Sequence, residues 1–502
     1  CFTRADALQP NVANLQMNVG SVLVELGLAD EALPHFDAAL SSEPGHPEAE
    51  AQRLYASQLI CRWAGFDRMV EARLARVRSA DPPSVSPFTL LSIPATPEDQ
   101  YRAACAYAAT IRRVDVRTPP VTEWTRGQRL RIGYLSSDLR RHPVGSVLSE
   151  LLELHDRSRV EVFAYAHGPH DSGPERERLM RAVDHWRDVT ADSDEQIIRH
   201  IRADGIHLLI DLNGYTQHER KEIAASRPAP VQISFLGYPG SCGGDAYDFV
   251  LTDRFVCPPE QQRNFSERFL YMPHCVMPAD TTRAIRDQSE RRAAYGLPEQ
   301  GFVFCAFTNP VKIIPPLFDL WMRLLREIPE SVLWLRSSKP AEENLRYEAR
   351  QRGVPPERIV FAQHCADLAE HLARQRLADL FLDTLPYGAH STASDALYAG
   401  LPVLTCAGDT FAGRVAGSQL HTIGLPELVT PSLPSYEALA LRLAREPGLL
   451  AGLRARLATN RGTGPLFDMA RYARAFEDRL EEAWAVCAAG GTLRAAALNA
   501  DT

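Results

Sequence analysis

Residues 379–407 read DLFLDTLPYGAHSTASDALYAGLPVLTCA. Two short apolar runs, DLFLDT and PVLTCA, flank a polar loop and a stretch of helical character. Runs of this length suit buried strands, and the segment between them has the length of a crossover helix. The unit is therefore read as strand–helix–strand in a parallel sheet. Its helix is expected to start near Ser391 or Thr392. Free backbone N–H groups and the helix dipole favour an anion there, and the two hydroxyls add donors. An ordinary N-cap would use the same residue types. Asp395, one turn in, could accept from sugar hydroxyls or complement the dipole.

The same alternation extends outward. GFVFCAF, SVLWLRS and RIVFAQH precede the quoted unit as strand candidates, separated by helical segments. RIGYLSSDL, RVEVFAYA, HWRDVT, IHLLIDL and PVQISFL form a comparable series nearer the start, with a helix expected from His142. DSDEQIIRHIRADG is an amphipathic helix whose Asp192-Ser193-Asp194 mimics a metal-binding DxD but suits a cap better. Two doubly wound α/β halves in series are expected to form a cleft, with ligands at the carboxyl ends of strands.

A different pattern precedes them. Phe2, Ala5 and Pro10 recur thirty-four residues later as Phe36, Ala39 and Pro44. Gly20, Leu23, Gly27 and Ala32 fill the remaining small and apolar positions of a helix–turn–helix repeat of that period. Residues 13–46 are read as one complete tetratricopeptide repeat and residues 1–9 as the tail of another. A chain that starts in mid-repeat implies a longer superhelix in front, and such arrays offer concave surfaces to protein partners. The expected divisions are repeats and connecting helices over 1–120, a first lobe over 128–280, a second over 281–488 and a tail over 489–502.

The 502 residues are too many for one core. A net charge of −8 and the lack of an aromatic-and-basic stripe argue against nucleic acid. No apolar run is long enough to span a membrane. The ten cysteines show neither CxxC pairs nor zinc spacing, so free thiols and a cytoplasmic location are expected. GxGxxG at a strand–helix turn, Walker A and GxSxG motifs are all missing.

Several chemistry-bearing residues follow strands. Thr308, Asn309 and Lys312 follow GFVFCAF, at a place suited to a diphosphate. His371 and Arg374 share a helix face, where imidazole could stack on a base and guanidinium pair with its carbonyl. In the first half, His142, Asn213, Gly214, Tyr215, Tyr238 and Gly240 also follow strands. His207 stands at the opposite strand end and is read as structural.

With these loops in hand, the chain resembles the O-linked N-acetylglucosamine (O-GlcNAc) transferases, in particular a bacterial homologue of the nucleocytoplasmic enzyme. The motifs that carry the resemblance are RIGYLSSDLRRHP, DLNGYT, RPAPVQISFLGYPGSCG, YMPH, FTNPVKI, SVLWLR, HLARQRLADLFLDT, GAHSTASDALYAGLPVLT and GRVAGSQL. It implies a GT-B fold behind the tetratricopeptide region, with UDP-GlcNAc as donor and no metal or other cofactor. By the same resemblance Lys312 faces the diphosphate, with Asn309 beside it where the animal enzyme has Gln. Ala366 contacts uracil, His371 and Arg374 hold uridine, and Asp395 holds the ribose. His390, Ser391 and Thr392 surround the phosphates and sugar, Gly240 lies beside the sugar, and His142 stands near sugar and acceptor as base or contact. Asn213 and Tyr215 are assigned to the acceptor side.

The resemblance further implies inverting transfer of GlcNAc to Ser or Thr of protein or peptide acceptors, guided by the repeats. Leu368 replaces a Lys near the uridine site, Ser391 replaces a Thr, and Tyr215 stands where many bacterial relatives have His. The short link over 277–300 leaves no room for the large intervening domain of the animal enzyme. Other readings are a GT-B transferase with a different sugar or acceptor, or a repeat scaffold binding UDP without turnover. A UDP-GlcNAc epimerase would leave the repeats unexplained.

Overall fold

The computed structural model describes residues 12–116, 127–287, 291–363, 365 and 367–489. The expected repeat tail at 1–9, Ala366 and all but the first residue of the 489–502 tail lie outside them. Contacts divide the chain into two compact units. One joins the helical stretch ending at Asp99 to Ala284–Leu420 and Leu425–Thr459. The other joins Gln100–Arg283 to His421–Gly424 and to the segment from Asn460 onward.

The helical stretch begins with Ala13–Glu25, Ala29–Ser42, Pro47–Leu59 and Phe66–Val77. Period-related Phe36 and Ala39 are fully buried, as is Ala32. Gly20 shows why the repeat needs a small residue: a Cβ there would lie 2.6 Å from the Phe36 ring. The second helix ends at Ser42, just before Pro44.

The unit built on Gln100–Arg283 holds a seven-stranded parallel sheet. Its strands are β1 (Leu130–Ser136), β2 (Val160–Ala166), β3 (His185–Asp188), β4 (Leu208–Asp211), β5 (Val231–Ser234), β6 (Phe249–Asp253) and β7 (Arg268–Met272). Their order is β3-β2-β1-β4-β5-β6-β7. The unit that includes the helical stretch holds a second sheet, of six strands. They are β8 (Val303–Ala306), β9 (Val332–Arg336), β10 (Ile359–Ala362), β11 (Leu380–Leu382), β12 (Val403–Cys406) and β13 (Val429–Thr430). Their order is β10-β9-β8-β11-β12-β13, again all parallel. Both orders reverse beside the first strand of the sheet, between β1 and β4 and between β8 and β11. Such reversals leave a crevice at the carboxyl ends of the two strands.

The strands β6, β7 and β13 were not among those expected from sequence. FVLTD and RFLYM are separated by a Pro-rich loop and a short 3₁₀ turn at Pro259–Asn264, which masks their pairing. β13 is only two residues long, too short to carry a period.

The end of the second lobe also differs from the expected 281–488. Helix Met469–Ala488 packs on β5, β7 and helix Pro143–Leu154 of the first sheet's unit. Buried Glu477 accepts from His155 Nδ1 (3.0 Å), Asp156 N (2.8 Å) and Arg159 Nη1 (3.1 Å). Tyr134 in turn donates to His155 Nε2 at 2.8 Å. The pattern of this helix specifies an apolar face but not which sheet covers it, so proximity in sequence misplaced it.

Candidate functional site

At the β8/β11 reversal, β8 ends at Ala306 and the chain turns through Asn309. The Asn309 side chain accepts from Val311 N at 3.1 Å, closing a single 3₁₀ turn, Pro310–Lys312. This turn aims Lys312 at the loop after β11. Lys312 Nζ donates to Gly388 O at 2.7 Å and stands 3.6 Å from the centre of the Tyr387 ring. The side chain keeps some accessible surface, but these neighbours displace enough water for burial to push its amine down to about 7.

That loop is organised by a carboxylate that the sequence reading passed over. Buried Asp383 accepts from Thr384 N (2.7 Å), Ala389 N (2.6 Å) and Thr405 Oγ1 (2.6 Å). Burial pushes its carboxyl up to about 6, against these hydrogen bonds and the attraction of Lys312. Gly388 lies close to its neighbours: a Cβ would meet Ala412 O at 3.2 Å and Asp383 Oδ2 at 3.3 Å, so a side chain there would have to push the loop by a few tenths of an ångström. The available signal was an acidic residue at the carboxyl end of the apolar run DLFLDT.

His390 precedes helix Ser391–Ala399, the start predicted from sequence. Its Nε2 donates to Ala412 O at 3.1 Å, which leaves Nδ1 as an acceptor. Burial and nearby Lys312 push the imidazole down to about 3, so it is neutral at physiological pH. Its carbonyl accepts from Ala393 N, Ser394 N and buried Gln419 Nε2. No side chain caps this helix, and half-buried Ser391 and Thr392 form its first two positions. Asp395 is half-buried one turn further on.

His371 and Arg374 lie on helix Leu368–Gln375, beside the same strand ends. Arg374 donates to His371 Nδ1 (2.8 Å) and Gln363 O (2.7 Å), and its guanidinium lies 5.2 Å from the Phe307 ring centre. Phe307, immediately after β8, also lies 5.9 Å from the His371 ring. Phe307 is itself buried, so it props the His371 ring and the Arg374 guanidinium, the groups suited to a planar ring bearing carbonyls. Leu368 begins this helix with Asp367 as its cap.

The other unit places its candidates at the β1/β4 reversal. His142 caps helix Pro143–Leu154, its Nδ1 accepting from Val144 N at 3.3 Å. Burial lowers its imidazole pKa, although Asp138, 3.6 Å from Nδ1, pulls the other way. Asn213 and Tyr215, expected on the acceptor side from their place after β4, have side-chain polar atoms hydrogen-bonded within their own unit. Asn213 donates to Ser137 Oγ, Asp138 Oδ2 and Thr216 Oγ1 and accepts from Ser137 N, bracing the β1 and β4 loops together. Tyr215 is buried, donates to Cys242 O at 2.5 Å and packs edge-on against Tyr107. Gly240 is buried against the Tyr238 ring, 3.2 Å from where its Cβ would stand.

His207 is structural, as read. It accepts from Arg131 N through Nδ1 at 2.9 Å and packs on Trp484. The DSD motif is a cap: Ser193 and Gln196 form a reciprocal capping box, and Asp194 pairs with Arg220. Among the described residues there is no cluster of three or more His, Cys, Asp or Glu able to hold a metal.

Comparison with known proteins gives this geometry a context. The model of Glycosyl transferase family 41 matches residues 60–292 and 281–476. A probable UDP-N-acetylglucosamine–peptide N-acetylglucosaminyltransferase, SEC, of Arabidopsis thaliana is 35% identical over 86% of this chain and 46% of its own length. The UDP-N-acetylglucosamine–peptide N-acetylglucosaminyltransferase of Caenorhabditis elegans is 30% identical over 85% of this chain and 48% of its own. The chain thus spans about half the length of these relatives. An O-GlcNAc transferase of Thermobaculum terrenum, solved as a point mutant, superposes with a TM-score of 0.78 at 29% identity, covering 97% of this chain and 87% of that one. The two doubly wound sheets and the preceding helices are the GT-B architecture expected from sequence, and the chain belongs to glycosyl transferase family 41.

Proposed function

We propose that this protein transfers GlcNAc from UDP-GlcNAc to Ser or Thr hydroxyls of protein acceptors, with inversion and without a metal. The observation that carries the reading is the β8/β11 crevice, where the Lys312 amine and an uncapped helix start share one loop. A departing diphosphate needs positive charge and N–H donors at such a place. Lys312 supplies the charge; Ser391 and Thr392 supply backbone and hydroxyl donors. His390 offers its Nδ1 as an acceptor to a sugar hydroxyl, His371 and Arg374 hold the base, and Asp395 accepts from the ribose.

In the reaction the acceptor oxygen attacks the anomeric carbon as the bond to the β-phosphate oxygen breaks. UDP leaves with the bonding electrons. The hydroxyl proton passes to a base, for which His142 is the candidate: burial favours its neutral form, and taking the proton on Nδ1 would release the hydrogen bond from Val144 N. In its own unit, Asn213 braces the loop after β1 that leads to His142. The helical repeats guide the acceptor. A cytoplasmic location fits the nine free cysteines among the described residues, and no described helix is long and apolar enough to cross a membrane.

The test is calorimetric titration with UDP and UDP-GlcNAc, with and without chelator, followed by labelled-sugar transfer to peptides. Chelator-insensitive binding, weakened but still measurable in Lys312→Ala, and label lost when peptide Ser and Thr become Ala are expected. Binding that chelation abolishes would refute metal independence, and binding without transfer would leave a UDP-binding scaffold.

A further inference from the structure

The turn that carries Lys312 is held from outside its own sheet. Helix Pro47–Leu59, in the helical stretch, packs directly against Pro310–Lys312. Gln58, 1% exposed, donates through Nε2 to Ser92 O at 2.9 Å and to Val311 O at 3.4 Å. Its Oε1 accepts from Ser92 Oγ at 3.4 Å, which fixes the orientation of the amide. Three residues on, the thiol of buried Cys61 donates to Pro310 O at 3.7 Å. Two successive carbonyls of this one-turn element therefore accept from the helical stretch. The Val311 carbonyl belongs to the peptide plane that leads into Lys312, so rotating it redirects the lysine side chain.

Neighbouring contacts make the attachment rigid. Asn344 donates to Ile60 O at 2.8 Å, and the Trp63 and Phe318 rings pack with centres 5.3 Å apart. Tyr55, on the same helix, is near enough to Tyr387 to raise that phenol's pKa, after the larger effect of burial. Tyr387 is the ring beneath the lysine amine. The helical stretch thus reaches both the turn bearing Lys312 and the surface on which its amine rests.

We propose that Gln58 is a positioning residue for Lys312, through which the helical stretch sets where the lysine amine stands. The inference rests on the assignment of Lys312 to the donor diphosphate. It also gives the helices a second task beside acceptor guidance: a displacement of helix Pro47–Leu59 would be felt at the departing phosphate.

The experiment is a double-mutant cycle on UDP affinity, combining Gln58→Leu with Lys312→Ala in the full chain. Gln58→Leu is expected to weaken UDP binding about five- to tenfold in the native background. In the Lys312→Ala background it should change binding less than about twofold, because the group it positions is gone. Gln58→Glu, which keeps the shape but replaces the donor with an acceptor, should reproduce the loss. Arg78→Ala removes the ion pair with Asp99, a link within the helical stretch that does not touch the lysine turn, and should lower the melting temperature while leaving UDP affinity unchanged. Equal loss in both lysine backgrounds, or the same loss from Arg78→Ala, would overturn the positioning role alone. Failure of the native protein to bind UDP would overturn the donor-site reading, and this inference with it.

Discussion

Replacing Lys312 with Met tests the donor site through its protons. In the ligand-free protein burial holds the amine at about 7, so near pH 7 about half the molecules carry it neutral. Asp383, pushed up to about 6, is mostly ionised at the same pH and supplies the attraction that opposes this loss. A diphosphate changes the balance. One unit charge about 4 Å away, at an effective dielectric of about 20, is worth roughly 4 kcal/mol. That corresponds to about three pKa units, enough to return the bound lysine to its ammonium form. The complex then binds more protons than the free protein, so protons favour binding and raising the pH weakens it. Uptake should be about half a proton at pH 7 and approach one by pH 8, with affinity falling about tenfold per pH unit beyond. Calorimetric titrations with UDP from pH 6.5 to 9, in buffers of different ionisation enthalpy, measure both. Lys312→Met should abolish the uptake and the slope, and slow transfer by about 10²–10³. Equal proton uptake in native and Lys312→Met proteins, or an affinity unchanged from pH 7 to 9, would refute the reasoning.

Three further substitutions probe other parts of the molecule. Arg374→Lys keeps the charge but not the fork that reaches Gln363 O and His371 together; UDP affinity should fall about tenfold while inorganic pyrophosphate binds as before, and equal weakening of both would count against a base-side role. Gly20→Val forces a side chain into the Phe36 ring and should destabilise the helical pair by about 1–3 kcal/mol, seen as faster hydrogen exchange in Ala13–Glu25 and Ala29–Ser42. Glu477→Gln turns one of two buried acceptor oxygens into a donor facing Arg159, and should cost about 1–3 kcal/mol in urea unfolding. An unchanged unfolding midpoint would mean that the network around His155 contributes nothing net.

What the sequence discloses follows the range of the interactions. The long buried runs, the Ser193 cap, the small residue at Gly20 and the helix start at Ser391 are local, and each is legible as a pattern. Lys312, His371 and Arg374 could be singled out because strand ends in a parallel sheet converge on known sides, whereas His390 entered only through the family resemblance. Asp383 was passed over because a carboxylate inside an apolar run looks like a boundary until its three donors are seen. Asn213 and Tyr215 look available as loop residues; only tertiary contacts reveal that their polar atoms are already engaged. Gln58 lies more than two hundred residues from Val311, and nothing in a Gln on a helix indicates which carbonyl it meets.

The return of helix Met469–Ala488 to the first sheet also bears on how the chain is made. All seven strands of that sheet are synthesised before the second sheet is begun, yet the helix that covers β5 and β7 is translated after it. The early lobe is therefore a discontinuous folding unit. It waits with apolar surface uncovered and His155 lacking its carboxylate partner until helix Met469–Ala488 has been made. Transient exposure of this kind is where aggregation and chaperone capture begin. Removing helix Met469–Ala488 would therefore act on a sheet whose strands were all made before the second sheet.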